Sequence, residues 1–562
     1  MAKSLATLTF TLFQIILFGL ISAIVVLGTL TYDDLIHAVL QAIHRPDLEQ
    51  VIRTTFFTEN KYQCLQQIRW FLVSGLVVIA LSGFLKRKKI LAWLIEKYGH
   101  VFASMRGTYH ELTACKSFIK WMLLVLLIAV VVRSVFLSYE YPMQYDEAWN
   151  YNYFLHQQGW NSMVAYNNYP LHNLVTYLFL KVLPDQTFTI RLPVMLFGVL
   201  TIISVFIILL KLLKNETQAL LGAILFASLP VTTYYMLYAR GVMPMLFFCW
   251  WAYYDVVRSF QKRFHPNRLA LFHSLAAYTM VSYSLFPLIT YSFSIFYFVI
   301  RKDYRQVIFQ LRSLLLFIGC TALLYLPLFL GTGFSGGWQA LQTSSNLNAL
   351  HGWLYHNYSE FTTGHGYAFY MALMGALWMF FSKKYKPLQP LLLLQAILLC
   401  IPFLFVIFQK SLPPERALAF IALPVVIMFV LFLQVFKKPN LGFLLLLPLI
   451  VATQAYTFQS NFLNWSKGLD HQVRELAMRF EEEKINSLYV HSNSFSYFIP
   501  GLLYYHHIHH KTLQIATSNR TSTRFQNPNT MPLYDALVLS PDSTVRFPVL
   551  FSCPDFVVYR KK

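Results

Sequence analysis

Residues 118–149 read FIKWMLLVLLIAVVVRSVFLSYEYPMQYDEAW, and this stretch decides the architecture of the chain. Its first two thirds form one apolar run, close to the ~20 residues that an α-helix needs to cross ~30 Å of hydrocarbon. The run ends in an aromatic turn that carries an adjacent acidic pair, Asp146 and Glu147. Because a carboxylate near a bilayer is costly to desolvate, such groups are usually kept for a task. The stretch therefore predicts a membrane-spanning helix with a functional site at its end.

The composition of the whole chain agrees with a membrane protein. Of its 562 residues, 57% are hydrophobic and only 12% are charged, and the mean hydropathy is +0.49. An ordinary soluble domain carries roughly 25% charged residues, so the composition excludes that class. Apolar runs of spanning length recur along the chain, and we predict an all-α polytopic membrane protein with about thirteen transmembrane helices. The predicted spans are roughly 8–30, 68–85, 118–138, 189–210, 218–237, 242–258, 269–286, 287–300, 313–330, 367–382, 388–408, 417–436 and 441–458.

The basic residues predict the orientation of these spans. The formal net charge of +21 could suggest nucleic-acid binding, but Lys and Arg fall in short clusters between apolar runs. Clusters such as Lys86–Lys89 and 301–312 match the positive-inside pattern of cytoplasmic connections. The alternate loops are almost free of positive charge, since 331–365 has none and 139–188 has a single lysine. The pattern argues against a nucleic-acid partner and places Asp146 on the outer side of the membrane.

Three regions are predicted along the chain. Residues 1–116 hold two spans and a basic cytoplasmic segment, 117–458 form the main transmembrane region, and 459–562 form a small α/β domain outside the membrane. The last region starts with a helix-patterned segment, 467–484, and has an apolar helix-like stretch near 496–505. Its β-type runs are Ser487–His491, Leu513–Thr517, Ala536–Leu539 and Phe556–Tyr559.

Two outer segments differ from ordinary connections. Segment 145–185 is amphipathic and aromatic but too polar to span, which predicts short helices in the outer interface. Loop 331–365 is long and starts with a Gly-rich stretch, which predicts a mobile lid.

The acidic pair is the first candidate for catalysis. A positioned carboxylate can take a proton from an attacking hydroxyl and contributes about 10²–10⁴-fold to the rate. We predict that Asp146 is the general base and that its neighbour Glu147 binds substrate or a divalent cation. The alternative is that the pair merely caps the helix that follows, because an acid at a helix start satisfies free N–H groups.

Positively charged residues at outer helix ends are the candidate substrate ligands. Such cations are scarce on this side, and a guanidinium suits a bidentate grip on a phosphate. The alternative for each is an anchor whose charged tip reaches the headgroup level. A nearby histidine could also bind donor or acceptor, although a lone histidine is as well explained as a hydrogen-bonded structural residue. The predicted substrate-binding residues are His172, Arg191, Arg240, Lys410 and Arg416.

The tail region contains a dense histidine patch made of His506, His507, His509 and His510. Histidines at this density can bind transition metals, but no Cys or carboxylate in the neighbouring sequence completes the usual zinc site. We therefore predict a surface patch and assign no metal ligands. A divalent cation beside the acidic pair is left open as the one cofactor.

The order of these motifs resembles a known family. An outer Asp146–Glu147 after a span, a Tyr–Pro–Leu–His segment at 169–172, Arg191–Leu–Pro and Ala239–Arg–Gly follow one another as in the GT-C type membrane glycosyltransferases. These enzymes use polyprenyl-phosphate sugars and include protein O-mannosyltransferases and lipid A aminoarabinose transferases. The resemblance covers about residues 118–436.

The resemblance implies a reaction, a site and a location. A sugar would leave a polyprenyl-phosphate donor for a lipid, glycan or protein acceptor at the outer face, with inversion at the anomeric carbon. Asp146 matches the catalytic base and Glu147 its acidic neighbour, and Arg416 lies roughly where such enzymes hold the donor phosphate. The family also implies a bacterial inner membrane, with the active site and the tail facing the periplasm. Glu360 is a weak candidate for a second outer acid.

Two other classes of protein remain open. A lipid-linked sugar flippase or transporter usually places charged groups in mid-span, whereas here the span centres are almost uncharged. A scaffold of the cell envelope would not need an acidic pair and phosphate-suited cations on one side. The sequence therefore favours interfacial chemistry on a lipid-linked sugar.

Overall fold

The computed structural model describes residues 2–43, 58–156, 169–261, 265–341, 389–409, 415–433, 464–490, 497–509, 513–517, 535–539, 548–553 and 556–560, with a few isolated residues between them. The chain forms two compact units. One comprises Met1–Trp121 with Pro327–Trp338, and the other comprises Met122–Leu326 with Gln339–Lys562. The first unit contains the helices Ala2–Thr29, Tyr32–Ile43, Glu59–Leu85 and Arg87–Ala114.

The second unit contains most of the remaining elements, and all candidate site residues fall within it. Ser117–Glu140 enters it at Met122. The further helices are Tyr145–Asn150, Pro170–Leu180, Thr187–Leu213, Glu216–Ser228, Pro230–Leu237, Val242–Phe260, Pro266–Thr279, Leu285–Ile300, Tyr304–Leu341, Gln389–Gln409, Ala422–Leu433, Asn464–Glu482 and Ile499–Ile508. A π-helical turn covers Tyr151–Leu155, and 3₁₀ turns cover Val281–Ser284 and Glu415–Ile421.

The predicted fold class, a helical polytopic membrane protein with a small α/β tail, is confirmed. Among the described residues, five helical segments are long and apolar enough to span a membrane, and a bent pair makes a sixth. The five are Ser117–Glu140, Thr187–Leu213, Val281–Ile300, Tyr304–Leu328 and Arg416–Leu433. The predicted spans 367–382 and 441–458 lie almost wholly outside the described residues, so the total of about thirteen stays a prediction.

The predicted span 218–237 is broken in the middle. Glu216–Ser228 and Pro230–Leu237 meet at an angle of 59°. Proline has no backbone N–H and disfavours helical geometry in the residue before it, and Leu229 accordingly has φ −55° and ψ 136°. The break positions the end of the second helix, which leads directly into the Ala239–Arg240–Gly241 segment of the candidate site.

The two long outer segments compare differently with their predictions. Segment 145–185 forms short helices, as predicted, at Tyr145–Asn150, Tyr151–Leu155 and Pro170–Leu180. The start of the predicted loop 331–365 is helical instead, because the helix that begins at Tyr304 continues to Leu341. The rest of that loop lies outside the described residues, and its role as a lid stays a prediction.

The tail contains a five-stranded mixed sheet with two helices. The strands are β1 (Ser487–Val490), β2 (Gln514–Thr517), β3 (Ala536–Leu539), β4 (Val549–Cys553) and β5 (Phe556–Arg560). Their order is β2-β1-β3-β5-β4, with β1 parallel to β2 and β3, and β5 antiparallel to β3 and β4. The prediction missed only β4 among these strands. We call residues 464–562 the tail domain below.

Candidate active site

The short helix Tyr145–Asn150, called the acidic helix below, carries both predicted catalytic acids in its first turn. Acids in this position are favoured by the positive end of the helix dipole. Successive helical residues point about 100° apart, so the two carboxylates face different surroundings. The Asp146 side chain is 39% exposed, whereas Glu147 is 1% exposed. The adjacent acids therefore occupy two distinct environments.

Glu147 is a fully bonded, buried carboxylate. Its Oε1 accepts from Arg191 Nε at 3.1 Å and from the Ala239 backbone N–H at 2.6 Å. Its Oε2 accepts from Arg191 Nη2 at 2.7 Å and from the Gln144 backbone N–H at 3.0 Å. A carboxylate has about four lone-pair positions, and all of them are used here. Glu147 has no free acceptor position with which to take a proton from a substrate.

Arg191 is equally saturated. Besides its two bonds to Glu147, its Nη1 donates to the carbonyls of Ser138 at 3.1 Å and Tyr141 at 2.9 Å. Its Nη2 also donates to the Pro142 carbonyl at 2.8 Å. These contacts use all five N–H donors of the guanidinium and join the end of one span to the start of the next. The side chain is fully buried and has no donor left for a phosphate.

Asp146 is the point at which two predicted cations meet. Arg240 Nη2 forms an ion pair with Asp146 Oδ2, and Arg416 Nη1 lies 3.7 Å from the same oxygen. The Arg240 side chain is 10% exposed and that of Arg416 is 26% exposed. The three residues come from the acidic helix, the turn after the broken span, and the 3₁₀ turn at Glu415–Ile421. Together they make an open cluster with a formal charge of +1, suited to an anion.

The position of Arg240 is fixed by its neighbours in the chain. The backbone N–H of Ala239 is held by Glu147, so the buried ion pair also anchors the residue next to Arg240. A Cβ at Gly241 would lie 2.7 Å from the Thr279 carbonyl oxygen and 2.8 Å from the Tyr169 ring, so only glycine fits there. The Nε of Arg240 is buried and has no acceptor among the described residues.

His172 is a neutral, buried histidine. It is 0% exposed, and its Nε2 lies 3.5 Å from the Thr176 hydroxyl. Burial lowers the pKa of His172 to about 4, against a smaller raising effect of a hydrogen bond with the Ala239 backbone. It therefore carries no charge at neutral pH with which to hold a phosphate. Its helical neighbour Asn173 exchanges amide hydrogen bonds of 2.8 and 3.0 Å with Asn150, which ties Pro170–Leu180 to the acidic helix.

Lys410 and the loop residue Glu360 lie outside the described residues. The structure thus brings three of the predicted site residues together, Asp146, Arg240 and Arg416. It joins Glu147 and Arg191 in a separate buried pair and places His172 among buried polar groups.

The tail domain packs directly on the acidic helix and its neighbours. Tyr497 stacks on Tyr145 with ring centroids 4.7 Å apart and an interplanar angle of 13°. The Met143 backbone N–H donates to the Tyr505 hydroxyl at 3.0 Å, and Asn152 Nδ2 donates to the Pro500 carbonyl at 2.7 Å. The residues on either side of the acidic helix are therefore held by the tail domain.

Asp470 is a site residue that sequence reasoning missed. It is 2% exposed, and its Oδ1 accepts a 3.1 Å hydrogen bond from the hydroxyl of Tyr497, the residue that stacks on Tyr145. Burial raises the pKa of the Asp470 carboxyl to about 7, although the bond from Tyr497 partly opposes the rise. A signal was present in the sequence, because Asp470 precedes the buried Val473 and Ala477 by one and two helical turns and so shares their face.

This raised pKa predicts a pH dependence of stability. In the unfolded chain Asp470 loses its proton near its ordinary pKa of 3.8, whereas in the folded chain it keeps the proton to about pH 7. The folded state therefore binds more protons in that window, and its stability falls as the pH rises. We expect the ionisation of Asp470 to lower the free energy of unfolding by about 2–3 kcal/mol between pH 5 and pH 8.

The variant Asp470→Asn isolates the effect, because an amide keeps an acceptor for Tyr497 but carries no charge. Melting temperatures of wild type and variant, measured across this pH range in detergent, should diverge as the pH rises, with the variant the more stable at pH 8. Parallel curves would show that Asp470 does not titrate in this range.

A cavity of about 800 Å³ lies beside this region. Its lining comes from the end of Ser117–Glu140, from 184–188 and from the tail domain, and includes Asp185, His507 and Tyr505. Asp146, Arg240 and Arg416 are not among its lining residues. The cavity and the Asp146 cluster are thus separate features of the described structure.

Comparisons with known proteins agree with the sequence resemblance. The family model for dolichyl-phosphate-mannose-protein mannosyltransferases matches residues 167–330. No curated protein sequence matches the chain. The fold is similar to apo ArnT from Cupriavidus metallidurans, with a TM-score of 0.51 and 12% identity, covering 79% of this chain and 98% of ArnT. The structure of that ArnT bound to undecaprenyl phosphate gives a TM-score of 0.48 at 12% identity, covering 78% of this chain and 97% of ArnT. The protein therefore has the fold of the GT-C membrane glycosyltransferases, as its sequence motifs predicted.

Proposed function

We propose that this protein is a glycosyltransferase that moves a sugar from a polyprenyl-phosphate donor to a lipid, glycan or protein acceptor at the outer face of the membrane. The observation that carries the proposal is the meeting of Arg240 and Arg416 on the exposed carboxylate of Asp146. The mannosyltransferase family model and the fold shared with ArnT support the class of reaction. The undecaprenyl phosphate bound by ArnT supports a polyprenyl-phosphate donor.

The charges of the cluster match those of such a donor. Two guanidiniums and one carboxylate give a formal charge of +1, which the single negative charge of a phosphodiester neutralises. When the sugar leaves, the phosphate gains a second negative charge, and fixed cations stabilise this developing charge in the transition state. Arg416 Nη1 lies 3.7 Å from Asp146 Oδ2, so Arg416 is the weaker of the two partners of Asp146. A donor phosphate can therefore replace Asp146 as the partner of the Arg416 guanidinium.

The reaction then needs one base and one displacement. The acceptor hydroxyl oxygen forms a bond to the anomeric carbon while the bond from that carbon to the phosphate oxygen breaks. The hydroxyl proton passes to Asp146, and the bonding electron pair leaves with the polyprenyl phosphate. A single displacement inverts the anomeric configuration. Asp146 suits this role because it is the exposed acid of the pair.

The remaining predicted site residues receive supporting roles in this proposal. Glu147 and Arg191 position the acidic helix and Arg240 instead of touching substrate, because their polar atoms are already bonded. His172 is a buried residue of the helix Pro170–Leu180, which Asn173 ties to the acidic helix. Lys410 stays a predicted phosphate ligand. The charge pattern of the loops supports an active site and tail domain on the outer side of the membrane, and the family resemblance supports a bacterial inner membrane with this side facing the periplasm.

The test is a transfer assay with purified protein in detergent, radiolabelled polyprenyl-phosphate sugars and a cell-envelope extract as acceptor. We expect the label to move from the donor into an extract component. If the protein instead carries labelled donor across reconstituted vesicles and no transfer occurs, the transferase is refuted in favour of a lipid-linked sugar flippase.

The contribution of Arg416 can be measured in the same assay with Arg416→Lys. Lysine keeps the positive charge but loses the planar fork that binds two phosphate oxygens. A hydrogen bond to a charged group contributes about 1.5–3 kcal/mol, so we expect the KM for donor to rise about 10- to 100-fold. Arg479→Lys is the matched control, since Arg479 is 46% exposed on the tail domain and pairs with Glu475. An unchanged KM in Arg416→Lys would remove this residue from the donor site.

A further inference from the structure

Three metal-ligating side chains meet beside the acidic helix. His156 follows the π-helical turn Tyr151–Leu155, Asp185 lies just before the span Thr187–Leu213, and His507 lies in the tail-domain helix Ile499–Ile508. One ligand atom from each residue lies within 4.8 Å of the other two. Three parts of the chain that are far apart in sequence thus present two imidazoles and a carboxylate to one point.

The spacing is close to that of a zinc site. Zinc binds His and Asp at about 2.0–2.2 Å in a tetrahedron, which sets neighbouring ligand atoms roughly 3.3 Å apart. The Nε2 of His507 lies 3.6 Å from Asp185 Oδ2, and the rings of His156 and His507 have centroids 3.5 Å apart. The three ligand atoms all lie within 4.8 Å of one another, so no pair has to close by more than about 1.5 Å to reach this spacing.

The carboxylate of Asp185 has an unused oxygen. Its Oδ2 accepts a hydrogen bond from the Tyr151 hydroxyl. Its Oδ1 is shielded from solvent and has no hydrogen-bond partner among the described residues. A shielded polar atom without a partner is costly. The oxygen that faces His507 is the other one, Oδ2, which lies 3.6 Å from His507 Nε2, so an ion held by these residues would bind Oδ2. The Tyr151 hydroxyl holds the carboxylate in place, as outer partners of metal ligands usually do.

A simple ion pair between His507 and Asp185 is the competing explanation. It leaves His156 unexplained, because two protonated imidazoles at this ring separation would repel each other. A neutral imidazole is the form that binds a metal.

We propose that His156, Asp185 and His507 form a binding site for a divalent transition-metal ion of the zinc class. Asp185 and His507 also line the cavity of about 800 Å³, so the remaining coordination position is accessible to water or a ligand from that side. The ion links the tail domain to the segments that flank the acidic helix. The site uses one histidine of the patch predicted from sequence, completed by residues from elsewhere in the chain.

Zinc binding to the purified full-length protein tests this. The protein is stripped with a chelator, dialysed and titrated with Zn²⁺, and its metal content and Co²⁺ absorption spectrum are measured. We expect about one ion per chain in wild type, as a three-ligand site predicts. In His507→Ala and Asp185→Asn we expect at least about 100-fold weaker binding, since even outer partners of ligands contribute about 10–100-fold.

The matched control is His509→Ala. His509 belongs to the same patch but is exposed and lies 3.8 Å from Glu481, outside the three-residue cluster. The variant His509→Ala should bind zinc as tightly as wild type does. If all variants bind zinc equally, or if wild type binds none, the site is refuted. Should His507→Ala fail to fold, Asp185→Asn decides, because it keeps an acceptor for Tyr151. None of these measurements depends on sugar transfer, so the result is independent of the proposed enzymatic function.

Discussion

Asp146→Asn is expected to abolish sugar transfer while leaving the fold intact. Asparagine has nearly the same shape as aspartate and can still accept hydrogen bonds from Arg240 and Arg416. It cannot accept the proton of an attacking hydroxyl. Loss of a general base costs about 10²–10⁴-fold in rate, so we expect kcat to fall by that factor.

The measurement separates chemistry from binding. Initial rates of label transfer give kcat, and equilibrium binding of the labelled donor gives its Kd. The variant should bind donor at least as well as wild type, because removing the carboxylate raises the formal charge of the cluster from +1 to +2. The melting temperature should fall less than in Glu147→Gln, because Asp146 is 39% exposed, although Arg240, at 10% exposed, loses its charged partner.

Glu475→Gln is the control for this carboxyl-to-amide change. Glu475 is 50% exposed on the tail domain, where it pairs with Arg479. The variant Glu475→Gln should transfer sugar at the wild-type rate. If Asp146→Asn retained wild-type kcat, Asp146 would not be the base, and the acceptor would have to react without a protein carboxylate at this position.

Glu147→Gln is expected to lower the stability of the protein, whereas Asp146→Asn is expected to lower kcat. The glutamine amide would place an NH₂ group against donors that now bond a carboxylate, and Arg191 would become an unpaired charge in a fully buried position. Removing one partner of a buried ion pair costs about 3–5 kcal/mol. For a chain of 562 residues that corresponds to a melting temperature lower by about 3–4 °C.

Thermal unfolding in detergent, followed by the fraction that remains monodisperse, measures this loss. Asp146→Asn is the natural comparison, because it makes the same chemical change one residue away in an exposed position. If Glu147→Gln melted with wild type but lost transfer, Glu147 would act in the reaction itself, for example by binding substrate or a divalent cation as the sequence predicted, and the positioning role would be wrong.

Local sequence patterns predicted much of the fold. The apolar runs identified the five spans and the bent pair found among the described residues, and the alternating runs of the tail identified β1, β2, β3 and β5. Strand β4 was missed because only two residues separate Val549–Cys553 from β5, which hides the turn between the two strands. The break at Leu229 was also missed, although Pro230 is visible in the sequence, because proline is common in membrane helices.

The candidate site shows what a local pattern cannot supply. The sequence placed Asp146 and Glu147 together, but their different surroundings depend on Arg191, which lies 44 residues further along the chain. The sequence around the histidine patch contains no carboxylate for the same reason. Asp185 is distant in sequence, and the fold brings it to 3.6 Å from His507. The roles of these side chains depend on contacts between residues that are distant in sequence. The periodicity of a single segment cannot predict such contacts.

The contacts between the tail domain and the acidic helix also set an order of events in biosynthesis. Tyr497, Pro500 and Tyr505 are translated after every predicted span, yet they hold the residues around the acidic helix. In the proposed orientation, the acidic helix therefore crosses the membrane before the residues that hold it are made. If the proposed function is correct, we expect a partly synthesised chain to be inactive until the tail domain has folded.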